Sequence, residues 1–392
     1  MKAIGVDFPT PTVSHLSAVR SPASPRAQAW EREDARHAED LTADRPRISG
    51  LALSHADASF SQEDVLALLG LTGDEFAERI FRRCGVRSRQ LKLTDEFLST
   101  TVQGRTLAIE DQLLADAVRA IDKLEVDPSE IGVVVSASLY SLGGPTIAHR
   151  LLDRYEMDPA TDKYHVVGVG CASAVPLVRL ASQALREHPG KKALVVAAES
   201  MAGILMGASA EDERSKTVGS SIFGDGCAAA LVEFDAQPTA LAGSKPAAGP
   251  AIVASKVHQI GGTLGAVRMQ LAADDSYLHL IRELPDVAAE GLGELVDDFL
   301  GSIGVARREI DHWLVHPGGR RIIESIQEAL GLSREQVGDS FQVLSEHGNV
   351  GTPAIFYVMK TMLDRREPRD GERALMVTVG PGVTVGLMLL QW

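Results

Sequence analysis

A layered α/β fold built from two related halves is predicted by three features of the 392-residue chain. Short apolar runs of strand length alternate with helix-length segments, glycine is abundant while aromatics are scarce, and landmarks of the first half recur at the same spacing in the second. With 36 glycines and only 5% aromatic residues, the balance is that of a globular enzyme rather than a disordered or fibrous chain. The length exceeds one ordinary domain and suits two fused halves, read here as 47–240 and 241–392.

Residues 1–46 hold Pro9, Pro11, Pro22, Pro25 and Pro46 with no sustained apolar periodicity. They predict a mobile extension, with a short polar helix over 29–41 that docks on a partner subunit as the alternative. ISGLALSH, from Ile48, reads as a strand, and SQEDVLALLGL as a helix capped by Ser61 with acids in its first turn. A second helix starts at Asp74. IGVVVSAS at 131–138 suits a buried parallel strand, and TIAHRLLDRYEM a helix begun by Pro145. YHVVGVG at 164–170 reads as another buried strand, CASAVPLVRLASQALREH as a small-residue helix beginning near Cys171, and KKALVVAAES and GCAAALVEF as strands. In the second half DHWLVH, GERALMVTVG and VTVGLMLLQW are strands, while GGRRIIESIQEALGL and TPAIFYVMKTMLDR are helices.

The halves can be registered by counting: 33 positions separate Ser138 from Cys171, and 33 separate His316 from Asn349. Pseudo-twofold packing of two such halves carries matching strand ends and helix starts to one centre, where Cys171, His316 and Asn349 would meet.

A formal charge of −14 argues against a broad nucleic-acid footprint, which needs clustered Lys and Arg. No apolar stretch approaches the length of a membrane span, and the first 30 residues lack the basic-then-apolar order of a secretory signal, so a cytoplasmic protein is expected. Cys84, Cys171 and Cys227 are an odd, widely spaced set that fits neither a disulfide framework nor a CxxC metal pair. Cys84 and Cys227 read as small buried hydrophobes.

Cys171 differs from these because it follows a strand and opens a helix behind GVG, where the positive helix end and a nearby histidine would favour thiolate. A buried cysteine ahead of a helix is the structural alternative. His316 ends the DHWLVH strand ahead of PGG, where open α/β sheets place reacting groups; an isolated histidine is more often exposed or structural. Asn349, in SEHGNVGTP, is either a turn or cap residue, or an amide that donates to a developing oxyanion or enolate beside His316.

At VGVGCASAV, SSIFGDGCAAALVEF, HWLVHPGGRRIIESI, SEHGNVGTPAIF and TVGPGVTVGLMLLQW the chain resembles the chalcone and stilbene synthase-like type III polyketide synthases, over residues 48–392. HWLVH and the ending from GPG to QW are similar to the bacterial branch that includes dihydroxyphenylacetyl-CoA synthase. The resemblance implies a thiolase-like fold of two pseudo-symmetric layered α-β-α-β-α halves, a homodimer, and decarboxylative condensation of malonyl-CoA onto an acyl-CoA starter carried by Cys171. It implies no metal and no redox cofactor. Cys171, His316 and Asn349 take the catalytic positions. Phe223 and Leu278 fall on the family's gatekeeper positions, Leu278 replacing the phenylalanine usual in plant members. Ile204, Leu205, Ser138, Gly380, Pro381 and Gly382 are candidate substrate-binding residues, and Arg82, Arg83, Arg87, Arg89 and Lys92 candidate CoA-phosphate contacts, although a solvated basic face would read the same.

The chain also departs from the family pattern. Val350, Gly351 and Thr352 follow Asn349 where a hydroxyl-rich pair is usual, and Thr378 and Val379 stand ahead of the GPG turn in place of Gly and Phe. Cyclisation chemistry is therefore open between pyrone, resorcinol and related products. A single-condensation ketosynthase or an acyltransferase would use the same Cys and His, and a silent thiolase-like partner subunit would keep the fold without the chemistry.

Overall fold

The computed structural model describes residues 45–392 apart from 57, 95, 96, 98, 140, 142, 203–212, 235–248 and 272–275. All but the last two residues of the extension read over 1–46, and both Ile204 and Leu205, lie outside the described residues.

In chain order the first half contains β1 (Pro46–Ser54), β2 (Ser59–Ser61), α1 (Gln62–Leu68), α2 (Glu75–Arg83), β3 (Ser88–Gln90), α3 (Val102–Asp122), β4 (Ile131–Ala137), α4 (Ile147–Arg154), β5 (Asp162–Val166), α5 (Ala174–Ala184), β6 (Lys192–Glu199), α6 (Glu213–Ile222) and β7 (Gly226–Phe234). The second contains β8 (Ala251–Gln259), β9 (Val267–Leu271), β10 (Ser276–Leu280), α7 (Leu284–Ala289), α8 (Leu292–Ser302), β11 (His312–Val315), α9 (Arg320–Leu330), α10 (Gly338–His347), α11 (Ala354–Arg365), β12 (Arg373–Gly380) and β13 (Thr384–Gln391).

Local chemistry sets several of these boundaries. Ser61 accepts from the Asp64 amide while Asp64 reaches back to the Ser61 amide, a reciprocal capping box that starts α1. Asp74 accepts from the amides of Phe76 and Ala77 and starts α2; each such cap contributes about 1 kcal/mol. Pro145 does not open α4 as expected: Thr146 is the N-cap, so the proline lies outside the helix.

Among the described residues the main sheet runs β11-β12-β13-β8-β1-β7-β6-β4-β5. Its halves repeat one pairing scheme. β4 and β6 are parallel, β6 with β7 and β7 with β1 antiparallel; β11 and β12 are parallel, β12 with β13 and β13 with β8 antiparallel. The halves join through one β1–β8 pair, Arg47 with Ala251.

Alternation along the strands explains the layers. Val133 and Val135 enter a central core with α5 and α11, whereas Val134 enters an outer core with α3 and α4. In the second half Ala374 and Met376 face the same centre, while Leu375 and Val377 face an outer core with α8 and α9. Helix, sheet, helix pair, sheet and helix thus stack in five layers. Val175, Leu177 and Val178 of α5 are fully buried, each stabilising the centre by about 1.5–3 kcal/mol.

One strand departs from its reading. The 164–170 run was expected to be buried, but β5 is an edge strand paired only with β4, and Tyr164 and Val167 are 36% and 43% exposed. Apolar residues there follow from a surface at the sheet edge rather than from the core.

Candidate active site

Cys171 occupies a single 3₁₀ turn, Gly170–Ala172, between β5 and α5. The turn is pressed against the end of β12: a Cβ on Gly380 would stand 2.6 Å from the Ala172 nitrogen, and one on Gly170 would stand 2.9 Å from Pro381 Cδ. Only glycines at these two places let the backbones approach so closely, which fixes the nucleophile's position from the other half of the molecule.

Asn349 follows α10 and precedes α11. Its amide nitrogen donates to Ile222 O at 2.7 Å and its carbonyl accepts from Gly224 N at 3.1 Å, forming a bridge beside Phe223. Gly348 makes the turn possible, with φ +70° and a position where a Cβ would lie 2.5 Å from Ile222 O. Asn349 Oδ1 accepts the Gly351 N–H at 3.0 Å, so Nδ2 is the atom left to donate. The side-chain amide lies 3.9 Å from Cys171 Sγ.

His316 follows β11 and is 1% exposed. Burial pulls its pKa down to about 3, so the ring is a neutral imidazole at physiological pH. Among the described residues its Nδ1 has no hydrogen-bond partner. Cys171 does not carry the depressed pKa expected from its helix position. Burial, and then the neighbouring Glu199 carboxylate, push the thiol up to about 12, against the opposing help of Asn349. The resting site therefore holds a protonated thiol and a neutral histidine.

Glu199, at the end of β6, was not singled out in the sequence. It accepts from Leu139 N at 2.9 Å and lies 2.8 Å from Thr352 Oγ1, which also reaches Gly170 O at 3.0 Å. Thr352 has one hydroxyl hydrogen for two acceptors. A protonated Glu199 resolves the conflict by donating to Thr352, which then donates to Gly170 O. Burial raises Glu199 to about 7, which agrees.

The three side chains line one cavity of about 80 Å³. Its walls are apolar: Leu139, Met201, Ile222, Phe223, Leu278 and Ile322 among others, with Gly380 and Pro381 at the nucleophile's side. Phe223 and Leu278 both lie in this wall. Ser138 and Gly382 do not line it. Ser138 is buried while its neighbour Leu139 lines the cavity, and Gly382 turns its carbonyl to Thr263 Oγ1 at 2.8 Å. Strand alternation does not find Leu139, because Val133, Val135 and Ala137 face the central core whereas Leu139 packs with the outer one; the remaining wall residues carry no signal beyond being apolar.

The five-cation cluster separates. Arg82 and Arg83 are exposed on the last turn of α2. Arg87 donates to Ser345 Oγ at 2.7 Å and lies 3.6 Å from Glu346. Lys92 turns inward, its ammonium donating to Ala108 O at 2.9 Å. Arg89 is 0% exposed and donates to Ser221 O and Ser220 O, so it cannot face a phosphate. Backbone carbonyls drew these two cations in, and an Arg-rich run does not reveal such acceptors.

Comparison with known proteins places the chain in a family. The family model described as FAE1/type III polyketide synthase-like protein matches residues 57–296, and that of the chalcone and stilbene synthases, C-terminal domain, matches 251–392. The chain is 29% identical over 367 residues to a 3,5-dihydroxyphenylacetyl-CoA synthase of Streptomyces toyocaensis, covering 90% of this chain and 91% of the other. It is 30% identical over 275 residues to an alpha-pyrone synthesis polyketide synthase-like protein of Mycobacterium tuberculosis, covering 70% and 68%. The crystal structure of PKS-I from the brown alga Ectocarpus siliculosus superposes with a TM-score of 0.79 at 25% identity, covering 90% of this chain and 99% of that one. The chain belongs to the FAE1/type III polyketide synthase-like family and is an enzyme of the polyketide synthase class.

Proposed function

We propose that the protein condenses malonyl-CoA iteratively onto an acyl group carried by Cys171, and that the product cyclises. The observation that supports this most is the Asn349 amide, oriented by Gly351 so that its N–H donor stands 3.9 Å from the thiol in an apolar cavity shared with a neutral His316.

Loading begins when Cys171 gives its proton to His316 and attacks the thioester carbonyl of a starter. CoA leaves and takes that proton as its thiol, so acyl-CoA and enzyme thiol become acyl-enzyme and free CoA. Asn349 and His316 donate to the oxyanion meanwhile. Malonyl-CoA then loses its carboxylate as carbon dioxide, and the charge passes to an enolate oxygen held by the same donors. The apolar wall favours this step because it offers the carboxylate no partner. The enolate carbon attacks the acyl-Cys171 carbonyl, the carbon–sulfur bond breaks, one proton from solvent restores the thiol, and the extended chain, now a CoA thioester, reloads onto Cys171 with release of CoA for the next cycle. Each cycle releases one carbon dioxide and extends the chain by two carbons.

No metal or redox group enters these steps, and CoA thioesters suffice. In this reading Arg82 and Arg83, both exposed on α2, contact the CoA phosphates. A cytoplasmic homodimer is part of the reading; the dimer is supported by the open edge of β5 with exposed Tyr164 and Val167 beside it, which a second copy would cover, and light scattering on purified protein tests it.

Product mass spectrometry with malonyl-CoA alone, and then with a panel of acyl-CoA starters, tests the reaction. An aromatic product from malonyl-CoA alone would align the enzyme with its dihydroxyphenylacetyl-CoA synthase relatives, and starter-dependent pyrones with the pyrone-forming ones. Acyl transfer without malonyl-CoA consumption would overturn the condensation reading.

A further inference from the structure

Arg89 is a cation buried without a carboxylate in ion-pairing distance among the described residues. Such a group is costly to keep, and its surroundings show what retains it. Nη1 and Nη2 donate at 2.5 and 2.6 Å to the carbonyls of Ser221 and Ser220, in the last turn of α6. Helix C-terminal carbonyls lack intrahelical partners and carry the negative end of the dipole, so a guanidinium fork meets both needs. Gln62 Nε2 adds a donor to Ser221 O at 3.0 Å.

That turn runs directly into the site. Ile222, the last residue of α6, receives the Asn349 N–H; Gly224 donates to the Asn349 carbonyl; Phe223 and Ile222 are cavity walls. The arginine stem fills the space beneath this crossing, since a Cβ on Gly224 would lie 3.2 Å from Arg89 Cβ and one on Gly348 3.6 Å from Arg89 Cδ. The guanidinium thus touches neither cavity nor solvent and holds the α6 turn, while the stem lies against Gly348, so the side chain as a whole borders both chain segments that hold Asn349.

We infer that Arg89 is a positioning residue for the condensation chemistry: by clamping the α6 C-terminal turn beneath the Phe223–Asn349 bridge, it sets where the Asn349 amide stands beside Cys171. This rests on the reading of that amide as the oxyanion and enolate donor. Arg89 acts through Asn349, so its loss falls mainly on the steps in which the amide holds a developing negative charge and less on the reactivity of the thiol.

The test compares Arg89→Met, Arg89→Lys, Asn349→Ala and the Arg89→Lys/Asn349→Ala double variant. Three readouts are malonyl-CoA decarboxylation (kcat and KM), iodoacetamide alkylation of Cys171, and thermal unfolding. Arg89→Met is expected to lose about 10- to 100-fold in kcat, with KM and alkylation each within about threefold of wild type. Arg89→Lys, which keeps the charge but can serve one carbonyl well, falls between. If Arg89→Met does not fold, Arg89→Lys carries the same expectation at about 5- to 10-fold. The double variant should be no slower than Asn349→Ala alone. A higher KM with unchanged kcat would return Arg89 to CoA binding and overturn the inference. So would equal losses in decarboxylation and alkylation, additivity in the double variant, or wild-type kcat. If Asn349→Ala itself keeps full decarboxylation, the reading of the amide fails; if it loses activity while the Arg89 variants do not, only the Arg89 inference fails.

Discussion

Gly318→Ala is a one-carbon probe of His316. An added Cβ would stand 3.2 Å from His316 Cδ2, 3.4 Å from its Nε2 and 3.3 Å from Ile322 Cγ2. The glycine has no positive φ, so the backbone accepts alanine and the cost is one of contact. Carbon contacts settle near 3.5–4.0 Å, so the ring must retreat by about 0.5 Å. A misplacement of 1 Å costs about 100-fold in rate, and half of that predicts about a tenfold loss of decarboxylation kcat. Overpacking should destabilise the fold by about 1 kcal/mol. KM for malonyl-CoA should stay within about twofold, because the added carbon meets only His316 and Ile322. Gly319→Ala is the control: its Cβ would meet only Ile222 Cδ1, at 3.9 Å, but its φ of +146° is strained for alanine. That variant should lose stability and keep most of its kcat. Steady-state decarboxylation and thermal unfolding of both variants decide the matter. Wild-type kcat in Gly318→Ala, or equal kcat losses in the two, would refute the placement of His316 as a donor that works within tenths of an ångström.

Three other outcomes follow from the geometry. Glu199 is raised to about 7 from an ordinary 4.5, so the folded state favours its protonated form; that contribution is complete below pH 4.5 and is lost as pH rises through 7. Relative to wild type, Glu199→Gln should therefore gain up to about 3 kcal/mol between pH 4.5 and 8, read from unfolding curves, and its Cys171 should alkylate faster at pH 8; a pH-independent stability difference would contradict this. Leu278→Ala should open the wall to longer starters, with relative kcat/KM rising about fourfold per added methylene, and an unchanged starter profile would remove Leu278 from specificity. Arg82→Ala with Arg83→Ala should raise KM for malonyl-CoA several-fold at low ionic strength and much less at about 0.5 M salt, leaving kcat unchanged; a salt-independent KM would argue against phosphate contact.

Buried strand-length runs such as IGVVVSA and KALVVAAE were readable in the sequence because both faces of those strands are covered, so hydrophobicity alone marks them. Cys171, His316 and Asn349 stood out because each sits at an element boundary, where a fold of repeated halves gathers residues. Helix α3 was passed over although Ile109, Leu113, Ala117 and Ile121 repeat at four-residue spacing, a signal that was present. The β5 run shows the opposite limit, since apolar residues look alike whether a core or a sheet edge holds them. Arg89 and Lys92 were read as surface cations because their acceptors are backbone carbonyls from segments distant in sequence. The direction of the Cys171 shift depended in the same way on Glu199 and on burial, neither of which the local GVGC context contains.

The most direct test of the Cys171–His316–Asn349 chemistry is parallel measurement of carbon dioxide release and polyketide formation from malonyl-CoA and a starter by wild type, Cys171→Ala and Asn349→Ala. Decarboxylation needs the donors but no acyl-enzyme, so Cys171→Ala should release carbon dioxide and form no polyketide, while Asn349→Ala should lose both activities. Polyketide formation by Cys171→Ala, or undiminished decarboxylation by Asn349→Ala, would contradict the assignment of nucleophile and donor.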